Sequence, residues 1–135
     1  MATTETEISW LAGILDGEGC IMLYLHPADG HHTCRVQITN TDVGIIEEVK
    51  RILQEMNVFY SVYECQPKGN KKNGGSYSRV YYIEANCHLE SKFLLERLLP
   101  YLKSFNKKEK AIKYIQYIEN LKRADGRKSN RIKKT

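Results

Sequence analysis

The chain of 135 residues is 41% hydrophobic and 27% charged, which is the composition of an ordinary globular protein. This length supports one domain with its own core and hardly two. No apolar run approaches the roughly 20 residues that span a bilayer, and the acidic, polar beginning of the sequence is unlike a signal or transit peptide. The sequence therefore predicts an intracellular protein that is not secreted, and it leaves the compartment open between a prokaryotic or phage-infected cytoplasm and, for an organelle-encoded protein, an organelle.

The positive charge of the chain lies near its C-terminal end. From Lys103 onward twelve Lys and Arg oppose three Asp and Glu, a charge of about +9, whereas the residues before Lys103 carry about −4. This imbalance favours a polyanionic partner, with nucleic acid ahead of an anionic membrane. A solvated helix face followed by a disordered tail explains the charge equally well. No helix combines an apolar face with aromatic anchors and a basic face, so we expect no membrane partner.

Hydrophobic periodicity predicts an alternation of helices and hairpins. In chain order the predicted elements are a helix over residues 6–15, strands over 20–26 and 33–39, a helix over 43–56, strands over 59–66 and 77–85, and helices over 88–99 and 107–123. This order is that of an α+β domain with an antiparallel sheet, one face covered by helices and the other bare. We expect a single domain over residues 1–123 and a basic, flexible tail over 124–135.

Capping and turn signals set the expected boundaries of these elements. Thr6 or Ser9 is predicted to cap the first helix, and Asp42 the second. Asp29-Gly30 marks the turn of the first hairpin, and Pro100 marks the end or a kink of the third helix.

The end of the first helix has an unusual composition. Residues 10–20 read WLAGILDGEGC, so Gly13 and Gly17 lie four residues apart on one helix face. Small residues at this spacing let two helices approach closely, and the natural partner is the same helix of a second copy. Glu18 would then lie close to Glu18 of the second copy, at the negative end of both helix dipoles. A divalent cation would relieve the repulsion between these negative charges. A plain helix end with glycine caps and a solvated acid is the alternative.

Leu11 to Gly19, LAGILDGEG, closely resembles the nine-residue signature of the LAGLIDADG homing endonucleases. Five positions match the family name letter for letter: Leu11, Ala12, Gly13, Asp16 and Gly19. The predicted element order is also similar to the family's αββαββα module, so the resemblance covers most of the chain. A single copy of the motif resembles the homodimeric branch of the family, whereas members with two motifs are monomers.

The resemblance implies a saddle-shaped antiparallel sheet with helices on one face and DNA on the other. It implies an intron-encoded, metal-dependent DNA endonuclease that acts as a homodimer and has no small-molecule substrate. Such an enzyme makes a staggered double-strand cut in a long, roughly palindromic target. The alternative is an RNA maturase or a non-cleaving DNA-binding protein on the same fold. Glu18 discriminates between them, because loss of this acid would mark an inactive nuclease, and its presence favours the enzyme.

The resemblance also implies site residues, position by position. Glu18 and the carbonyl of Gly17 are implied ligands of Mg²⁺ or of another divalent cation such as Mn²⁺. Asn40 is the nearest match to a residue that orients water, and Lys107 to a lysine beside the scissile phosphate. Two lysines could replace Lys107, namely Lys103 and Lys108. The predicted dimer interface comprises Leu11, Ala12, Gly13 and Asp16, and Asp16 is also implied to be structural.

The bare face of the sheet is predicted to read DNA, because a twisted antiparallel ribbon fits the major groove. Residues with the parity of Glu18 would face the DNA, and Arg35 and Gln37 suit guanine and adenine respectively. The predicted DNA contacts are Tyr24, His26, Arg35, Gln37 and Tyr82 on the strands, and Lys68, Lys71 and Lys72 in the second hairpin loop. The loop lysines would contact phosphates. For each strand residue an ordinary half-solvated position is the alternative, and for the tyrosines partial core packing is equally plausible.

Overall fold

The computed structural model describes residues 3–25, 32–67, 69, 72, 74–75 and 78–124. Its elements are α1 (Glu5–Glu18), β1 (Gly19–Leu25), β2 (His32–Asn40), α2 (Val43–Glu55), β3 (Ser61–Cys65), β4 (Val80–Ala85), α3 (His88–Leu98), a 3₁₀ turn (Leu99–Tyr101) and α4 (Phe105–Ala124). The predicted α+β order is confirmed. The Asp29-Gly30 turn and the C-terminal tail beyond Ala124 lie outside the described residues. In the part of the chain that is described, no helix is long and apolar enough to cross a membrane.

The first helix begins and ends at other residues than the sequence predicted. Thr4, and neither Thr6 nor Ser9, is its cap: the Thr4 side chain accepts from Glu7 N, and the Glu7 carboxylate accepts from Thr4 N. This reciprocal pair is a capping box. The helix continues through Gly17 to Glu18. Gly19 is its C-cap, and a glycine is required there because a Cβ would lie 2.3 Å from Leu15 Cδ1 and 2.7 Å from the Leu15 carbonyl oxygen.

The later helices follow their predicted signals. Asp42 caps α2 as predicted, because its side chain accepts from Gly44 N at 2.8 Å and Ile45 N at 3.3 Å. The third helix ends at Leu98, and Pro100 lies in the 3₁₀ turn that follows. The last helix begins two residues before the predicted start, because the Ser104 side chain accepts from Lys107 N and stabilises the first turn.

The four strands form one antiparallel sheet in the order β1-β2-β4-β3. In the first hairpin Cys20 pairs with Gln37 and Met22 with Arg35, so these residues share a face, as the period-two pattern predicted. The two hairpins are joined through β2 and β4, where Gln37 pairs with Glu84. Sequence periodicity did not predict this pairing, because it sets the face of a strand and not its neighbour.

The hydrophobic core lies between the helices and one face of the sheet. From the sheet it receives Ile21, Val36, Ile38 and Ile83, and from α1 it receives Ile8, Leu11, Ala12 and Leu15, all of them buried. The opposite face, which we call the open face, carries the alternate residues of each strand: Cys20, Met22, Tyr24, Arg35, Gln37, Thr39, Tyr63, Tyr82 and Glu84. The fold therefore sets a polar, aromatic sheet surface beside the C-terminal end of α1, where β1 begins.

Candidate functional site

The C-terminal end of α1 presents a free acid. Glu18 is the last residue of the helix and is exposed. Its side chain makes no hydrogen bond or ion pair with any other residue that the structure describes. The last helical turn contains no basic residue, and although the Leu15 carbonyl accepts from Gly19 N, the Gly17 and Glu18 carbonyls have no later N–H of the helix to bond. This end is therefore electronegative and well suited to a cation.

Lys107 is brought to this end of α1 from the beginning of α4. Its Nζ donates a hydrogen bond to the main-chain carbonyl of Asp16, although the two residues are separated by 91 positions in the sequence. The Asp16 carboxylate in turn accepts from Lys103 N at 2.7 Å and from Ser104 N at 3.2 Å. These bonds hold the start of α4 against the end of α1. The Lys107 ammonium therefore contacts the carbonyl of a residue two positions before Glu18.

Asn40 lies at the same end of the sheet. The register sets Gly19, the first residue of β1, opposite Ile38, and β2 ends two residues later at Asn40. The Asn40 Oδ1 accepts from Asp42 N at 2.8 Å. This bond holds the side chain in the turn before α2 and leaves its amide N–H groups available to a water or a phosphate.

The oxygen donors at this end fit a hard divalent cation but are too few in one chain. Glu18 supplies a carboxylate, and Gly17 supplies a carbonyl of the last helical turn. Mg²⁺ takes about six oxygen ligands and keeps several waters. No group of three or more His, Cys, Asp or Glu that could hold a metal occurs among the described residues. One chain therefore offers a partial donor set, which additional oxygens from a second chain or a phosphate would complete.

The outer surface of α1 has no side chain at two exposed positions that lie four residues apart. Gly13 and Gly17 are exposed, and a Cβ added at either would meet no atom within 4 Å. The prediction that Leu11 and Ala12 contact a partner chain is corrected, because both are 0% exposed within the core of their own chain. The Asp16 side chain is used within its own chain, as the structural role implied. No contact among the described residues explains a glycine at position 13.

On the open face, predicted DNA-reading residues are tied to a buried acid. Glu84 is only 8% exposed. Its Oε2 accepts from Tyr63 Oη at 3.0 Å, from Gln37 Nε2 at 3.3 Å and, in a long contact of 3.4 Å, from Arg35 Nη1. Its Oε1 accepts from Asn86 Nδ2 at 3.4 Å. Burial, followed by the hydrogen bond to Glu84, raises the pKa of Tyr63 above its ordinary value.

The remaining predicted DNA contacts are distributed over the open face and the second hairpin loop. Tyr24 is 56% exposed, whereas Tyr82 is half-buried and stacks on Tyr63, with ring centroids 5.0 Å apart and planes inclined by 12°. Lys72 is exposed. Three of the predicted residues lie outside the described part of the chain: His26, Lys68 and Lys71. No local sequence signal marks Tyr63 as a site residue, because its role depends on which strand lies beside β4.

The fold is that of homing endonucleases of known structure. I-CvuI in complex with its target matches at 20% identity with a TM-score of 0.61, covering 89% of this chain and 70% of that chain. The LAGLIDADG meganuclease I-AabMI bound to uncleaved DNA matches at 18% identity with a TM-score of 0.62, and the match covers 87% of this chain but only 38% of that chain. The group I intron-encoded homing endonuclease I-CeuI complexed with DNA matches at 14% identity with a TM-score of 0.58. This match covers 98% of this chain and 62% of that chain. At these identities the similarity establishes the fold.

The sequence itself identifies the family. The LAGLIDADG-like domain matches residues 5–122, which is nearly the whole described chain. This chain belongs to the LAGLIDADG-like family, and the resemblance of LAGILDGEG to the family signature is confirmed. No curated protein sequence is significantly similar to it.

Proposed function

We propose that this protein is a site-specific, metal-dependent DNA endonuclease that makes a staggered double-strand cut as a homodimer. The observation that carries the proposal is the assembly at the end of α1. There Glu18 ends the helix as an exposed acid, and the Lys107 ammonium donates to the carbonyl of Asp16, two residues earlier in the helix. Relatives of the same fold are described in complexes with DNA, and I-CvuI complexes with Mg or Ca present.

Exposed glycines on α1 support the homodimer. Glycine in a helix interior costs roughly 1 kcal/mol relative to alanine. No neighbour within the described chain requires the absence of a side chain at Gly13 or Gly17. A second copy of α1 packed across these two positions would supply the reason and would bring the two Glu18 carboxylates close together. It would also complete the oxygen donor set that one chain only begins.

The chemistry would be hydrolysis of one phosphodiester in each strand. A bound divalent cation supplies an activated water and neutralises charge on the phosphate and on the leaving 3′-oxygen. Glu18 and the Gly17 carbonyl would hold that cation. Lys107 would place positive charge beside the phosphate oxygens as their negative charge grows, and the amide N–H groups of Asn40 would orient the attacking water. No side chain is required as a covalent nucleophile.

The open face would read the target sequence. It presents a band of polar and aromatic side chains on a twisted antiparallel sheet, which is a shape that enters the major groove. Arg35 and Gln37 would contact base edges, Tyr24 would contact bases or sugars at the edge strand, and Lys72 with the other loop lysines would contact phosphates. A symmetric dimer predicts a long, roughly palindromic target.

Glu18→Gln tests the proposal, since it removes the charge and keeps the shape of the side chain. We expect cleavage of the selected target in Mg²⁺ to fall by at least about a hundredfold, the scale of losing one electrostatic group at a reacting phosphate. Binding of the uncut target in EDTA should stay within about threefold, because Glu18 is one exposed side chain among many contacts.

Glu47→Gln is the matched control, because Glu47 is an exposed acid on α2 whose one ion pair among the described residues is with Lys50. It should cleave at the wild-type rate. Full cleavage by Glu18→Gln would reject the metal assignment. Specific binding without any cleavage by the wild-type chain would instead favour a DNA-binding protein on the same fold.

A further inference from the structure

One acid on the open face is almost enclosed by side chains predicted to read DNA. Glu84 on β4 lies directly opposite Gln37 on β2, and both are reached by Tyr63 from β3. Gln37 Nε2 is 2.8 Å from Tyr63 Oη, Tyr63 Oη is 3.0 Å from Glu84 Oε2, and Gln37 Nε2 is 3.3 Å from the same oxygen. These three polar atoms form a closed figure, which we call the Glu84 triangle.

The chemistry of the Glu84 triangle fixes which end of the Gln37 amide faces inward. A carboxylate only accepts hydrogen bonds, and so does an amide oxygen, so a turned amide would set two acceptors against each other. Tyr63 has one hydroxyl proton, gives it to Glu84, and can therefore only accept from Gln37. The raised pKa of Tyr63 keeps that proton in place. The amide nitrogen of Gln37 must point toward the acid.

The outer half of the Gln37 amide remains available. The two acceptors of the Glu84 triangle subtend an acute angle at the amide nitrogen, much narrower than the angle between its two N–H bonds. One N–H directed between the two acceptors reaches both of them, and in that arrangement the second N–H is free. The Gln37 carbonyl oxygen accepts no hydrogen bond from the described residues, and it is not among the buried polar atoms that lack a partner. Solvent, or a base edge, can reach it.

We propose that Glu84 sets base specificity on the open face by fixing Gln37 with its carbonyl oxygen and one N–H outward. This inference rests on the proposed function of the open face in reading DNA. A freely turning glutamine can donate to the O6 and N7 acceptors of guanine. A fixed one turns an acceptor toward them and repels guanine, whereas adenine offers a donor at N6 beside an acceptor at N7 and fits. Glu84 itself contacts no base and is a positioning residue.

Binding selection from a randomised duplex library, run in EDTA so that no cutting intervenes, tests this proposal. The full-length wild type is compared with three variants: Gln37→Ala, Glu84→Gln and Glu64→Gln. The base pair that loses its preference in Gln37→Ala identifies the position that Gln37 reads. There the wild type should enrich adenine over guanine by about tenfold or more, the value of one bidentate contact.

Glu84→Gln should lower that adenine-to-guanine ratio to about threefold or less, because its amide offers either a donor or an acceptor and no longer orients Gln37. Glu64→Gln removes the same charge from β3, where Glu64 pairs with Arg79 at 2.5 Å on the other side of the strand from Tyr63. It should keep the wild-type ratio, which separates orientation of Gln37 from a general change of charge.

The outcomes distinguish this inference from the proposed function. An unchanged ratio in Glu84→Gln would overturn the inference and leave the proposed function standing, whereas a wild-type selection without any enriched sequence would overturn both. If Glu84→Gln fails to fold by thermal melting, Glu84→Ala replaces it. That variant removes the acceptor that holds the Gln37 amide nitrogen inward, and it should shift the ratio in the same direction. An unchanged ratio in Glu84→Ala would then overturn the inference.

Discussion

Glu18 and Glu84 lie on neighbouring regions of the molecule and meet opposite surroundings. Glu18, at the end of α1, is exposed and has no partner among the described residues. Glu84, on the open face, is 8% exposed and accepts from three side chains at one oxygen and from a fourth at the other. A free acid beside an unsatisfied helix end is prepared for an external cation, whereas an enclosed acid is occupied with orienting its neighbours.

This difference predicts two kinds of mutational effect. Changes to Glu18 should lower cleavage and leave folding intact, because its carboxylate has no partner among the described residues. Changes to acids that already accept hydrogen bonds should lower stability or alter base preference, because donors would be left without partners.

Lys107→Met should give the largest effect of the changes considered below. It removes the ammonium that is bonded to the Asp16 carbonyl, so kcat for cleavage of the selected target should fall by about a hundredfold. Lys108→Met is the control, because the Lys108 ammonium lies over the Phe105 ring at 5.7 Å and away from that carbonyl. A loss confined to Lys108→Met would move the catalytic role to the neighbouring lysine.

Gly13→Leu should dissociate the proposed homodimer and leave the fold of each chain intact. A Cβ at this position meets no described atom within 4 Å beyond the backbone of its own helix, so the variant should fold as a monomer and cleave little at concentrations where the wild type is dimeric. Sedimentation velocity measures the change in mass. Glu47→Leu places a leucine on the exposed surface of α2 and should remain dimeric. A Gly13→Leu variant that sediments as the wild type would refute packing through this helix.

Asp16→Ala should act on stability. The main-chain N–H groups of Lys103 and Ser104 lose their acceptor, which costs about 1–3 kcal/mol when no water replaces it. Urea unfolding measures the loss, with Asp42→Ala at the cap of α2 as a comparison that should cost about 0.5–2 kcal/mol. A wild-type midpoint for Asp16→Ala would show that the connection between α1 and α4 does not depend on this carboxylate.

Glu7→Gln should have the smallest effect, and one that depends on pH. The hydrogen bond from Thr4 N, followed by the one from Arg51, lowers the pKa of Glu7 below 4.5. A carboxyl with a lowered folded-state pKa stabilises the fold above its unfolded value, and this contribution is lost as the pH falls through the folded value. Glutamine can keep the capping box but not the charge. The melting temperature of the variant should therefore lie slightly below the wild type at pH 7 and coincide with it near pH 3.

Salt offers an independent check on the Glu7 effect. The interaction with Arg51 is exposed, so a high salt concentration should shrink the difference between Glu7→Gln and the wild type at pH 7. A difference that grows as the pH falls would contradict the assigned cause.

The sequence predicted what depends on local periodicity. The faces of β1 and β2 followed from alternation, and the caps and ends at Asp42 and Pro100 followed from residue chemistry. The cap of α1 was assigned wrongly, although Thr4 and Glu7 carry the spacing of a capping box. The signal was present, but three threonines and a serine within residues 3–9 competed for the position.

The residues of the candidate site were proposed only where a motif or a loose alignment named them. Glu18 and Lys107 were chosen from the resemblance, and their placement at one end of α1 required the bonds that join Asp16 to the start of α4. Leu11 and Ala12 were misassigned to a partner surface, because a motif does not tell which side of its helix is buried. The sequence could not predict the Glu84 triangle, because its members are brought together by the order of the strands.

Cleavage-site selection from a randomised or host-genome DNA library, run with Mg²⁺ and in parallel with EDTA, most directly tests whether the acids at the end of α1 belong to a phosphodiesterase. The wild type with Mg²⁺ should yield discrete staggered double-strand breaks at one long, near-symmetric sequence, and neither the EDTA reaction nor Glu18→Gln should yield any. Breaks that form equally in EDTA, or that persist in Glu18→Gln, would contradict the account.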